Sequence, residues 1–138
     1  MKIRCLLIDD EPPALKVLQS HISQIGGLEV VGLCRNAVEA VEVLRQKQVD
    51  VIFLDIKVPK IIGTDFLRSL SHPPQVIFVT AYREYALEGF ELEAVDYLVK
   101  PVSFERFLKA VSRLQRNNWK NPPGNEKVYE PNPEAFVY

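Results

Sequence analysis

The sequence is poor in several residue types, and each scarcity excludes something. Two cysteines in 138 residues are too few for a disulfide framework. Cys5 and Cys34 fall near opposite ends of two predicted strands. Parallel neighbours at that offset place them about 10 Å apart, beyond disulfide reach. Two histidines, His21 in a helical stretch and His72 in a loop, give no cluster that argues for zinc. No apolar run nears the ~20 residues that cross a bilayer. Cys5 to Ile8 is far shorter than a signal-peptide core of roughly 7–15 residues. A cytoplasmic address is the default expectation, with no membrane partner. Charge of one sign is missing too. Seventeen basic and 18 acidic side chains leave a net charge of -1, no electrostatic reason to bind nucleic acid or an anionic membrane.

What is present is ordinary globular composition, 47% apolar and 25% charged, in a chain long enough for one core. Short apolar runs alternate with amphipathic ones. "KIRCLLID", "LEVVGLC", "DVIFLD", "PPQVIFVTA" and "VDYLVK" read as five strands. The third is apolar on both faces, as central parallel strands are. Pro12 and Pro13 suit a first helical turn, and Leu15, Leu18, Ile22 and Ile25 follow at helical spacing. Ala37, Ala40, Val41 and Leu44 mark a second helix. Phe66, Leu67 and Leu70 mark a short third, and "REYALEGFEL" a weaker fourth. A fifth carries Phe104, Phe107, Leu108, Val111 and Leu114 on one face, with Arg106, Lys109 and Arg113 outside it. Five βα units in a row predict an α/β fold, a doubly wound parallel sheet with helices on both faces. From about Asn117 the composition shifts to four prolines and five asparagines without helical period. Residues 117–138 are therefore expected to be a linker, ending in the strand-like "AFVY".

Ligands of such sheets bind at the carboxyl ends of the strands. There the pattern places Asp9 and Asp10 after strand one, Asp55 after strand three, Thr80 after strand four and Lys100 after strand five. One strand-ending Asp is usually a helix cap. Five polar groups, each closing its own apolar run, are poorly explained that way. Glu11 adds a third adjacent carboxylate to the first pair, and such a cluster needs a countercharge. Hard oxygen ligands suit Mg²⁺, which keeps waters and takes one or two carboxylates with a phosphate. Lys100 can pair a carboxylate or phosphoryl oxygen, and the Thr80 hydroxyl can donate to the same oxygen. Together these point to phosphoryl transfer with an Asp as covalent nucleophile.

"LLIDDE", "FLDIKVPKIIG", "VIFVTA" and "VDYLVKP" occur in that order, and with them residues 1–116 resemble the receiver domain of bacterial two-component response regulators. The resemblance implies a flavodoxin-like sheet of order 2-1-3-4-5. It implies Asp55 as phosphoacceptor for a sensor histidine kinase, and no turnover beyond self-catalysed phosphotransfer and autodephosphorylation. It implies Asp10 and Asp55 as direct Mg²⁺ ligands with the Lys57 backbone carbonyl, Asp9 acting mainly through water. Thr80 and Lys100 become the phosphoryl-binding pair, Thr80 and Tyr97 the switch pair, and Lys100-Pro101 a cis peptide. Lys57 and Tyr82 flank the path of attacking water and are expected to slow dephosphorylation. A homodimer through helix four, strand five and helix five is expected, with Glu88, Glu91, Glu93 and Asp96 facing Arg106, Lys109 and Arg113.

"TAYREYALEGFELEAVDYLVKPVSFERFLKAV" is similar to receivers joined to LytTR-type DNA-binding domains, which implies an output domain beyond the linker as the only route to DNA. Two other classes share parts of this pattern. An FMN carrier of the flavodoxin type needs a hydroxyl- and Gly-rich phosphate loop where this chain has "DDEPP". A haloacid-dehalogenase-type phosphatase places its nucleophile after strand one in an Asp-x-Asp pattern, and this chain reads Asp9-Asp10-Glu11.

Overall fold

The computed structural model describes residues 2–55, 74–81 and 94–114. These form β1 (Ile3–Ile8), α1 (Pro12–Ser23), β2 (Leu28–Cys34), α2 (Ala37–Gln46), β3 (Val51–Leu54), β4 (Gln75–Thr80), β5 (Asp96–Val99) and α3 (Phe104–Ser112). All strand pairs are parallel, in the order β2-β1-β3-β4-β5. This is the flavodoxin-like sheet expected from the sequence. The helices expected after strands three and four, and the linker, lie outside the described residues.

The period-two alternation of the central strands sorts the core into two layers. Cys5, Leu7, Val51, Phe53, Ile77 and Val79 face one side, where α1 and α3 pack. Leu6, Ile8, Ile52, Leu54, Val76 and Phe78 face the other, under α2. The fully buried Phe107 of α3 stacks on Phe53 with ring centroids 5.3 Å apart. Truncating such a ring to alanine costs about 3–5 kcal/mol, so this contact fixes α3 on the sheet.

Two helix faces differ from the periodicity. On α2 the buried residues are Ala37 and Ala40, while Val41 is exposed. On α3 Leu108 is exposed and Ala110 is buried instead. In both helices alanine occupies the line closest to the sheet, where a larger side chain would hold the helix away. Ala37 and Ala40 are thus buried as the sequence marks them, while Val41 and Leu108 are turned outward and Ala110 takes the inner place.

β1 and β2 shift register between Cys5 and Leu6, so that Cys5 pairs with Val30 and Leu6 with Gly32. The carbonyl of the skipped Val31 accepts a hydrogen bond from Lys47 Nζ at 2.8 Å. Gly32 permits the close approach, because a Cβ there would lie 2.8 Å from Leu6 Cδ1. Cys5 and Cys34 are buried free thiols, and burial pushes them up to about 12 and about 11. Neither is a reactive thiolate near neutral pH. Among the described residues no helix is long and apolar enough to cross a membrane.

Candidate functional site

Backbone hydrogen bonds carry the strand order one residue past the strands, and so fix the site. Asp9 N–H donates to Cys34 O at 2.9 Å, and Asp55 N–H to Ile8 O at 3.0 Å. Lys100 N–H donates to Thr80 O at 2.9 Å. Asp9, Asp55 and Thr80 are buried at this edge, with 1%, 4% and 0% of their surface exposed. The Lys100-Pro101 peptide is cis. His21 lies on α1, where its Nε2 is 2.8 Å from Val102 O and its ring packs against Phe104 and Phe107. It ties α1 to the loop carrying Lys100 and has no metal-ligand partner among the described residues.

The Lys100 ammonium sits inside a ring of carboxylates. It lies 2.7 Å from Asp9 Oδ2, 2.8 Å from Glu11 Oε1 and 3.2 Å from Asp55 Oδ2. Burial works to lower the lysine pKa, but Asp9, Glu11 and Asp55 outweigh it and hold the ammonium protonated. Burial likewise raises the Asp9 pKa, even though Lys100 and the Glu11 N–H at 2.9 Å favour its charged form.

Glu11 reaches this ring because of its place at the α1 N-terminus. A side chain at an N-cap normally accepts from the second or third helical N–H. Here the first two helical residues are prolines, which have no N–H, and Glu11 makes no side-chain cap. The Ala14 N–H is taken by the Glu11 backbone carbonyl at 3.0 Å. The carboxylate is thus left to face Lys100.

Three carboxylates and one ammonium sum to a charge of -2. Asp9, Glu11 and Asp55 each offer an oxygen within 4.8 Å of the others. Like charges at about 5 Å repel by roughly 3 kcal/mol at an effective dielectric of ~20, so one ammonium does not balance them. The buried Asp9 Oδ2 is met by Lys100 Nζ at 2.7 Å, an ammonium that it shares with Glu11 and Asp55. An all-oxygen donor set with excess negative charge at a buried edge fits Mg²⁺. When bound, the ion supplies charge neutralisation and a template for phosphoryl oxygens.

Of the residues expected at the site, Asp9, Asp55, Thr80 and Lys100 share this edge. Asp10 is half-buried and instead lines a polar recess with Arg35, Asn36 and Glu39. Tyr97 is half-buried on the α2 side of the sheet, its ring 6.3 Å from that of Phe78. Lys57 and Tyr82 lie outside the described residues. Glu11, one of three adjacent acids in the sequence, joins the site as a direct partner of Lys100. The paired prolines that deny it a capping role were the available signal.

Asp96 is not the free surface acid expected at the dimer face. Arg106 grips it with two hydrogen bonds of 2.9 and 2.8 Å, and Arg113 adds one of 2.9 Å. Two turns of helix bring both arginines to one face of α3, so the nearest acid on β5 captures them.

A five-stranded parallel sheet with an acid cluster and a lysine at its carboxyl edge defines a Mg²⁺-dependent phosphoacceptor module of the CheY-like kind. Residues 5–112 match the family described as response regulator receiver domain, and the chain belongs to that family. It is 42% identical over 118 residues to an uncharacterised response regulatory protein of Yersinia pestis, covering 83% of this chain and 49% of that protein. It is 39% identical over 120 residues to the transcriptional regulatory protein BtsR of Escherichia coli, covering 86% of this chain and 50% of BtsR. The chain thus spans about half the length of the curated relatives it matches. Among solved structures, the response regulatory domain of mrkE from Klebsiella pneumoniae superposes with a TM-score of 0.76 at 31% identity, covering 87% of this chain and all of that domain. The chain is a receiver domain of phosphorelay signalling, with the self-phosphorylation and dephosphorylation chemistry of that family.

Proposed function

We propose that Asp55 accepts the phosphoryl group from a sensor histidine kinase. An Asp55 carboxylate oxygen forms the bond to phosphorus while the phosphorus–nitrogen bond of a phosphohistidine breaks, and the leaving imidazole takes up a proton. Thr80 and Lys100 bind the phosphoryl oxygens, and Tyr97 follows Thr80 as the switch. Asp9, Asp10, Asp55 and the Lys57 carbonyl hold Mg²⁺, with Asp10 turning out of its recess toward the cluster. The observation carrying the reading is the Lys100 ammonium 3.2 Å from Asp55 Oδ2, inside the cluster of Asp9, Glu11 and Asp55 carboxylates. Intact mass after treatment with acetyl phosphate and Mg²⁺ tests it. Wild type gains one phosphoryl group and Asp55→Asn gains none; full labelling of Asp55→Asn overturns the assignment.

Residues 1–116 are proposed as the receiver, and 117–138 as a linker to a LytTR-type DNA-binding output that regulates transcription. Support comes from the likeness of residues 80–111 to receivers of that group and from relatives of about twice the matched length, one described as a transcriptional regulator. Dimerisation of the activated form through helix four, strand five and helix five is retained, with a changed charge scheme. Asp96 is spent within the chain, leaving Glu88, Glu91 and Glu93 to face Lys109 and the outer edges of Arg106 and Arg113. Sedimentation with and without beryllofluoride decides this, since a monomer in both conditions removes the dimer.

Lys57 and Tyr82 are proposed to shield the aspartyl phosphate from in-line water. If each raises the barrier by about 1.4 kcal/mol, each slows hydrolysis roughly tenfold. The double substitution Lys57→Asn with Tyr82→Ala then shortens the phosphoryl lifetime most. An unchanged decay rate removes both roles.

A further inference from the structure

We propose that Glu11 is a displaceable counter-ion, holding the Lys100 ammonium until phosphoryl oxygens claim it and thereby setting how tightly the site accepts a phosphoryl group. The inference rests on the reading of Asp55 as acceptor and Lys100 as phosphoryl ligand.

An ammonium offers three N–H donors. Lys100 is already ringed by three carboxylate oxygens within 3.2 Å. A phosphoryl oxygen enters that ring only as one of the three withdraws. Asp9 and Asp55 are held at the edge, and Asp55 itself carries the group whose oxygens must enter. Their side chains are 2% and 6% exposed, and their backbones are tied to Cys34 and Ile8. The Glu11 side chain is 61% exposed, so it regains water on leaving and loses little. Capping does not compete for its carboxylate, because Pro12 and Pro13 carry no N–H and the Ala14 N–H is held by the Glu11 backbone carbonyl at 3.0 Å. Lys100 itself, at 14% exposure, has little solvent to turn to and needs a replacement anion as Glu11 leaves. Glu11 is therefore a positioning residue acting through Lys100, and its hold opposes phosphoryl binding.

The test measures beryllofluoride affinity by titration calorimetry and fluorine NMR at saturating Mg²⁺. It compares wild type with Glu11→Gln and Glu11→Asp. Glutamine removes the charge; aspartate keeps the charge but is one methylene too short to reach the ammonium. Both variants are expected to bind beryllofluoride about three- to fivefold more tightly, the scale of a partly exposed ion pair. Unchanged or weaker binding by Glu11→Gln overturns the proposal. Tighter binding by Glu11→Gln with a wild-type-like Glu11→Asp also overturns it, since charge at a distance would then be the cause. If wild type neither binds beryllofluoride nor takes up a phosphoryl group, the acceptor reading fails and this inference with it. If wild type does both and the variants match it, this inference alone fails.

Discussion

β5 carries an ionic cluster at each end, and the two are built on opposite principles. At its start, Asp96 accepts from the Tyr97 N–H at 2.7 Å, from Arg106 on both oxygens and from Arg113. Burial disfavours its charge, but Arg106, the Tyr97 N–H and Arg113 outweigh that and hold its pKa below the usual carboxylate value. Just past the end of β5, one ammonium faces three carboxylates, all within 3.2 Å of it. The first cluster is saturated, and its arginines shed their extra charge into solvent at 39% and 48% exposure. The second holds unbalanced charge in a buried place. Saturation of this kind serves the fold, joining α3 to β5. Negative charge left over among oxygen ligands suits a bound cation, and so marks the functional end.

The comparison breaks most readily at Asp96. Asp96→Asn should lose about 2–3 kcal/mol of stability at neutral pH, measured by urea denaturation, because the charge-assisted hydrogen bonds go and two arginines lose their partner. A loss under about 0.5 kcal/mol would mean an ordinary surface pair. Its pH dependence has a definite sign. A carboxylate whose pKa is lowered by folding contributes fully above its ordinary value of 3.8 and loses that contribution as pH falls through the lower native value. The gap between wild type and Asp96→Asn should therefore close only below about pH 3.8.

A smaller effect sharpens the contrast from the other end. Mg²⁺ at ten times its dissociation constant should raise the unfolding free energy by about 1.4 kcal/mol. Thermal melts of Asp96→Asn should show the same increment, and those of Asp9→Asn a reduced one. Smallest is the effect of Asp9→Asn with a chelator present. The Asp9 pKa is raised by burial, so the fold favours the neutral form, and its charge becomes destabilising as pH rises through the native value. A neutral isostere should then stabilise the metal-free domain at neutral pH by about 1 kcal/mol. Destabilisation instead would show that the Lys100 ion pair outweighs the crowding.

Much of the site was legible in the sequence because strand ends are legible. In a parallel sheet each apolar run stops at the ligand-binding edge. Asp9, Asp55, Thr80 and Lys100 could therefore be placed together from order alone. The side-chain partners could not. Arg106 and Arg113 read as the polar back of a helix, and only the packing of α3 brought them onto Asp96. Glu11 read as one acid among three.

Apolar periodicity and strand-terminal polar residues thus determined the sheet, its two-layered core and the edge where charge collects, because these depend on local spacing and on burial. Which acid meets which base was decided only by tertiary structure. Side-chain pairing depends on the height and rotation of each helix on the sheet, which volume sets: alanines 37, 40 and 110 admit a close approach, and Phe107 on Phe53 fixes the seat of α3. From those placements follow the capture of Asp96 and the ring of carboxylates around Lys100.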